Sequence, residues 1–161
     1  MSVAPDLPEK YYLDNFIYLL NHVSQLYADI LNESERAFFD DFLSLSEDAQ
    51  SLYVRLLSRR GDWFRRDKII YSEISDIDGA AGELTSHRFI QIYSIGLGMI
   101  PDETDWLNLY TRPELASAIQ AQADQKPASS LRKPELLALM MEEPEVYVPD
   151  LPDTDIYCVY G

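Results

Sequence analysis

Cysteine is nearly absent from this sequence, with Cys158 the single example. One thiol cannot close a disulfide within the chain, and it excludes a structural zinc site built on paired cysteines. No run approaches the ~18 consecutive apolar residues that a membrane-spanning helix needs. The opening residues, Met1-Ser2-Val3-Ala4-Pro5-Asp6, have neither the basic region nor the apolar segment of a secretory leader. Gly96 and Gly98 alone do not make a phosphate-cradling loop. Positive charge is also scarce: 13 Lys and Arg stand against 28 Asp and Glu, a net charge of −15. That balance opposes long-range attraction to nucleic acid. These absences lead to the expectation of a soluble, cytoplasmic protein with no membrane partner. What is present suits a folded chain: 161 residues, 47% hydrophobic and 12% aromatic, fill one mid-sized domain or two small ones.

The scarce cations are unevenly placed. The stretch YVRLLSRRGDWFRRDKI, residues 53–69, holds Arg55, Arg59, Arg60, Arg65, Arg66 and Lys68 against Asp62 and Asp67, a local +4. A smaller group, Lys126, Arg132 and Lys133, lies near the start of a later helical segment. A helix start with basic side chains and free backbone N–H groups suits a phosphate. A solvated surface paired locally with the acidic body explains both groups equally well. The residues alone leave the two readings open.

Periodicity predicts a mainly α-helical chain. Leu13, Phe16, Ile17, Leu20, Val23, Tyr27 and Ile30 recur at helical spacing and predict a first helix over residues 10–31. Asn32 and Glu35 form a capping box for a second helix. Ser46 caps a third, with Ala49, Leu52, Tyr53, Leu56 and Leu57 on its buried face and Gly61 as its stop. Arg59 and Arg60 fall in its expected last turn, where the helix dipole favours cations. Residues 63–71 are rich in aromatic and β-branched side chains and read as a strand, so Arg65 and Arg66 should face opposite sides. A single helical turn at 71–74, a helix capped by Asp76 and a strand at 89–93 complete the order of a winged-helix unit. Thr111-Arg112-Pro113-Glu114 is a further capping-box start, echoed by Lys133-Pro134-Glu135-Leu136, and the two helices predict a hairpin.

Motifs that would carry chemistry are weak. Pro101-Asp102 followed by Asp124-Gln125-Lys126 matches the string of one class of metal-dependent nuclease, in which paired carboxylates hold the ion. The second half reads as a helix end and a polar loop rather than the strand such a site needs. Glu142, Glu143, Glu145, Asp150, Asp153 and Asp155 lack the spacing and glycine of a calcium loop and read as a solvated acidic segment. His22 lies off the apolar stripe of the first helix. His87 ends the helix expected to be the recognition helix, and neither has a nucleophile at a useful spacing. No catalytic residue, metal ligand or cofactor is expected in this chain.

Residues 11–74, from YYLDNFIYLL to IIYSEI, resemble the N-terminal part of the Fanconi-associated nucleases in their bacterial form. Phe42-Leu43-Ser44-Leu45-Ser46, Ala49-Gln50-Ser51-Leu52-Tyr53-Val54-Arg55-Leu56, Trp63-Phe64-Arg65 and Tyr71-x-Glu73-Ile74 carry the resemblance. It covers residues 10–93 well and 106–141 loosely. It implies a helical segment, a winged-helix-like unit with a small β-ribbon, and a SAP-like helical hairpin that touches duplex DNA, with Thr111 to Met141 similar to that hairpin. In the family, helical repeats and a VRR-NUC nuclease domain using Mg or Mn follow. The family activity is that of a 5′-flap endonuclease and 5′ exonuclease in interstrand cross-link repair. None of the family's metal ligands has a counterpart here.

The expected organisation is therefore a helical segment over 1–46, a winged-helix-like unit over 47–93, a linker over 94–105, a SAP-like hairpin over 106–143 and an acidic, Pro-rich, truncated tail over 144–161. The expected role is non-catalytic. The chain would grip duplex arms of flap or branched DNA, near a bacterial nucleoid, for a nuclease domain in cis or in trans. Arg55, Arg59, Arg65, Arg66 and Lys68 are the first candidates for phosphate contacts, with Arg132 and Lys133 second. The competing expectation is an acidic docking module for another protein or domain, with the basic strip turned inward and no DNA bound.

Overall fold

A computed structural model of the chain describes residues 10–123 and 131–160. It is mainly helical, with one small three-stranded sheet. Two compact units divide it. Of the described residues, 10–60, 70–90 and 160 form the first, and 61–69, 91–123 and 131–159 form the second.

The first unit is built on helices whose starts are set locally. Helix α1 spans Tyr11–Leu26 and buries Leu13 and Leu20. It stops short of the predicted residue 31. Asn32 must be extended to cap α2 (Glu33–Ser44), so the chain leaves helical geometry first, through a turn closed by Ile30 N–H on the Tyr27 carbonyl. The α2 capping box is complete: Glu35 N–H donates to Asn32 Oδ1 at 2.8 Å and Asn32 N–H to Glu35 Oε2 at 2.9 Å. Helix α3 (Glu47–Leu57) begins at Ser46, whose Oγ accepts from Ala49 N–H. It is the central helix, burying Leu52 and Leu56 completely; each contributes about 2 kcal/mol of apolar transfer. Helix α4 (Ile77–Ser86) starts at Asp76, which accepts from Gly79 N–H, and packs Ala80, Ala81 and Leu84 against α3. Phe38, Phe42, Tyr53 and Phe89 complete the core, with ring centroids 5.1–6.3 Å apart. Residues 71–74 make a single turn, Ile74 N–H to Tyr71 carbonyl, rather than a helix.

The second unit depends on distant pairings. Strand β1 (Trp63–Arg65) follows Gly61, whose φ of +91° redirects the chain after α3. Strand β2 is Ile90–Ser94, and strand β3 is Asp155–Val159. The sheet order is β1–β3–β2, with β1 antiparallel to β3 through Trp63 opposite Cys158, Phe64 opposite Tyr157 and Arg65 opposite Ile156. The expected ribbon of two neighbouring strands is thus corrected, because the terminal strand lies between them. Ile156, Tyr157 and Val159 are all buried, so this strand has little to show solvent and belongs in the middle.

Helix α5 (Arg112–Ala123) opens on the predicted box: Thr111 N–H donates to Glu114 Oε1 at 2.8 Å and Glu114 N–H to Thr111 Oγ1 at 3.4 Å. It packs against α6 (Lys133–Glu142), the predicted hairpin partner. The segments expected to be linker and tail are neither. Ile95 and Pro101 are buried, and Ser94 pairs with Met99 around Gly98, at φ +73°. Helix α7 (Pro144–Tyr147) and the turn after it bury Val148 and Leu151 beside Trp106, Tyr110 and Leu115. The apolar residues among the prolines made 144–159 part of the core; the acids lie on its outer side.

Candidate nucleic-acid interface

In the first unit, the basic strip begins with a side chain that turns inward. Arg55 gives Nε and Nη2 to Glu73 Oε1 at 2.8 and 2.7 Å. Its guanidinium lies over the rings of Tyr12 at 4.1 Å and Tyr71 at 5.1 Å. Tyr12 Oη also donates to Glu73 Oε1, at 2.9 Å. Burial of Glu73 would raise its carboxyl, but backbone, Arg55 and Tyr12 hydrogen bonds outweigh it and hold the group below the usual carboxylate range. Arg55 is therefore a packing element joining α1, α3 and the 71–74 turn. Arg59 and Arg60 lie past the end of α3, which terminates at Leu57 where Ser58 Oγ bonds back to the Val54 carbonyl. The dipole explanation for them weakens accordingly, and both are exposed.

Helix α4, in the recognition position of the expected winged-helix unit, carries no basic residue. It exposes Asp78, Gly79, Gly82 and Ser86. Its Glu83 is committed to the Ser46 N–H at 2.7 Å. Arg88, exposed just beyond it at φ +64°, was missed in the sequence. A left-handed arginine gives no compositional signal.

In the second unit, Arg65 is the clearest departure from expectation. Its side chain is 2% exposed. Nη1 and Nη2 meet Glu114 Oε1 and Oε2 at 2.7 and 3.1 Å; Nε and Nη2 meet Asp67 Oδ1 and Oδ2 at 3.0 and 2.8 Å. The guanidinium carbon, Cζ, sits 4.5 Å from the centre of the Tyr110 ring. Hydrogen bonds from Arg65 are the main reason the Glu114 carboxyl is lowered to about 2; burial opposes them and Thr111 adds to them. Burial pushes the Tyr110 phenol up to about 12. With the remaining Nη1 N–H turned to the Leu109 carbonyl at 3.5 Å, the guanidinium has no donor left for a phosphate, so Arg65 is withdrawn as a DNA contact.

Arg66 does not continue the strand. It opens a 3₁₀ turn, Arg66–Lys68, and donates to the Ile69 carbonyl at 3.1 Å. Lys68 at the end of that turn is exposed. Lys133 Nζ donates to the Asn108 carbonyl at 2.6 Å, while Arg132, at the N-cap of α6, is exposed and makes no side-chain cap. Arg112, not predicted, donates from Nε to the Leu131 carbonyl at 2.7 Å and ties the start of α5 to the approach to α6.

The nuclease string cannot be placed, since Asp124, Gln125 and Lys126 lie outside the described residues; Asp102 is exposed. Among the described residues no three His, Cys, Asp or Glu side chains gather as a metal would need. His22 stacks on Tyr18, with ring centroids 6.1 Å apart, and His87 closes α4 through its backbone. The Cys158 thiol is pushed up by burial, which makes it a poor nucleophile. No helix among the described residues is long and apolar enough to cross a membrane.

Residues 10–91, the four helices of the first unit together with β1 and the start of β2, match the family described as FAN1, HTH domain. The chain belongs to this family. Among its relatives, the Fanconi-associated nuclease 1 homolog of Pseudomonas aeruginosa is 44% identical over 82 residues, 50% of this chain and 15% of that protein. The homolog of Oryza sativa subsp. japonica is 30% identical over 131 residues, 81% of this chain and 14% of that protein. Homo sapiens Fanconi-associated nuclease 1 is 34% identical over 110 residues, 66% of this chain and 10% of that one. The chain thus spans 10–15% of these three relatives. In solved structures its fold resembles paFAN1 bound to 2nt 5′flap DNA with gap, at a TM-score of 0.78 and 30% identity, over 97% of this chain and 28% of that one. A second paFAN1 crystal structure, with a 1nt 5′flap, gives 0.71 and 27%.

Proposed function

We propose that this FAN1 HTH chain is the DNA-engaging part of a structure-specific nuclease and holds duplex arms of flap or branched DNA for a nuclease domain. The likeness of 97% of the chain, at a TM-score of 0.78, to a nuclease crystallised on flap DNA carries this reading. The exposed cations suit backbone contact. In the first unit these are Arg59 and Arg60, with Arg88 added. In the second they are Lys68 and Arg132, with Arg66 and Lys133 supporting the turns beside them. The lack of any basic residue on α4 argues against reading bases in a groove, so the contacts position the duplex without reading its sequence. Within the same reading, 5′-flap cleavage, Mg or Mn, cross-link repair and residence at the nucleoid belong to the full-length protein, with the metal in its nuclease domain.

Titrating the chain with gapped 5′-flap DNA at several salt concentrations tests this. Arg59→Ala/Arg60→Ala should lower the slope of log K against log salt by up to about two units, near 0.9 per phosphate contact. Equal slopes for the variant and the parent would remove these residues from the interface. A second reading, a docking module for another protein or domain, is favoured by the inward pairing of Arg55 with Glu73 and Arg65 with Glu114. It requires that no salt-dependent DNA binding be seen at all.

A further inference from the structure

We propose that the second unit carries a docking pocket for a peptide segment presenting one Lys or Arg between aliphatic side chains. The pocket is a cavity of about 520 Å³, within the size range of ligand sites. Ile95, Ile100, Val148 and Leu151 supply apolar wall, and Glu145 and Asp153 are its charged groups; among the described residues no cation lines it. Neither carboxylate joins an ion pair among the described residues.

The Asp153 carboxylate is laid against backbone. A Cβ at Gly96 would lie 2.5 Å from Oδ1 and 2.6 Å from Oδ2, so a side chain there would push the Asp153 carboxylate aside. Next to lining residues in the chain, Leu97 and Met99 stay 77% and 56% exposed and offer apolar surface to whatever enters.

Glu145 and Asp153 are both exposed, so their pull on a cation is modest and the apolar walls must add to it. The cation that also satisfies the walls is one on an aliphatic stem. A phosphate is repelled here, which separates this pocket from any DNA contact. A second copy of the chain is disfavoured by its net charge of −15. The proposal does not rest on the DNA reading.

The test uses ¹⁵N-labelled chain and short blocked peptides with a central Lys, norleucine or Glu between Val and Leu residues, with spermidine as a cation lacking aliphatic flanks. The Lys peptide should shift the Gly96 and Gly98 amides in a saturable way, with the norleucine and Glu peptides about tenfold weaker or worse. Glu145→Gln/Asp153→Asn should weaken the Lys peptide by a similar factor. Gly96→Ala, which displaces Asp153 without removing charge, should also weaken it, while thermal unfolding verifies that each variant is folded. Equal binding of the Lys and norleucine peptides would overturn the proposal. So would spermidine binding as well as the peptide, unchanged binding to the folded double variant, or no saturable shift at these glycines.

Discussion

Arg55 of the first unit and Arg65 of the second unit are alike in the sequence, yet their surroundings differ. Both have a carboxylate partner and an aromatic ring. The Arg55 side chain is 38% exposed and has one carboxylate, reached from a single turn; the Arg65 side chain is 2% exposed and is held by two carboxylates from different elements. Water reaches the Arg55 end of the first pair, while its Glu73 partner is 8% exposed and leans on Arg55 and Tyr12. For the Arg65 group, protein atoms must replace water entirely, so removing either side leaves a charge stranded. An arginine's distance from solvent, rather than its presence in a basic run, decides whether it is available to a ligand.

The largest expected effect tests the Arg65 side. Arg65→Met should cost roughly 3 kcal/mol in urea unfolding, the low end for breaking a buried pair, because Asp67 and Glu114 keep some contact with water. Replacing all three, with Asp67→Asn and Glu114→Gln added, should recover part of that loss. No loss in the single variant would erase the distinction between the two sites.

A smaller effect is expected from pH. The folded Glu114 carboxyl lies at about 2 against 4.5 for the free group. A lowered folded pKa contributes stability that is full above 4.5 and is lost as pH falls toward 2. The parent's unfolding temperature should therefore drop through that window, and Glu114→Gln should flatten the drop.

Arg55→Ala should cost about 2 kcal/mol, less than Arg65→Met because the guanidinium is partly solvated, but more than a surface pair because Glu73 is 8% exposed and is left with the Tyr12 hydroxyl. A cost matching that of Arg65→Met would show that stacking on Tyr12 and Tyr71 outweighs exposure. Lys68→Ala, at an exposed turn, should change stability by less than about 0.5 kcal/mol and the DNA salt slope by no more than about one unit. That pattern would separate a ligand-facing cation from both structural arginines.

Features that depend on near neighbours in the chain were legible. The starts of α2, α3, α4 and α5 came from Asn32 with Glu35, Ser46, Asp76, and Thr111 with Glu114, because a cap bonds three residues away. The helix spacing also showed most of the buried faces, although Tyr27, Ile30 and Leu57, placed on them, are exposed at or beyond helix ends, and the motifs from Phe42 to Ile74 pointed to the family. Of the candidate interface, only the local facts were readable: which cations exist, and which stand at turns or helix starts. The rest required long loops to close. Glu114 was visible as a cap, but its second role, receiving Arg65 from 49 residues away, was not. Alternation suggested that Arg65 and Arg66 share a strand, whereas the strand ends at Arg65 because Asp67 N–H is taken by Thr154 Oγ1.

Local chemistry in the sequence thus determined where helices begin, which faces they bury and how charge is distributed along the chain. Tertiary structure decided that Asp155–Val159 is the central strand and which arginines lose water. Caps and helix faces are settled over three or four residues. Strand order and burial depend on partners brought together from across the chain.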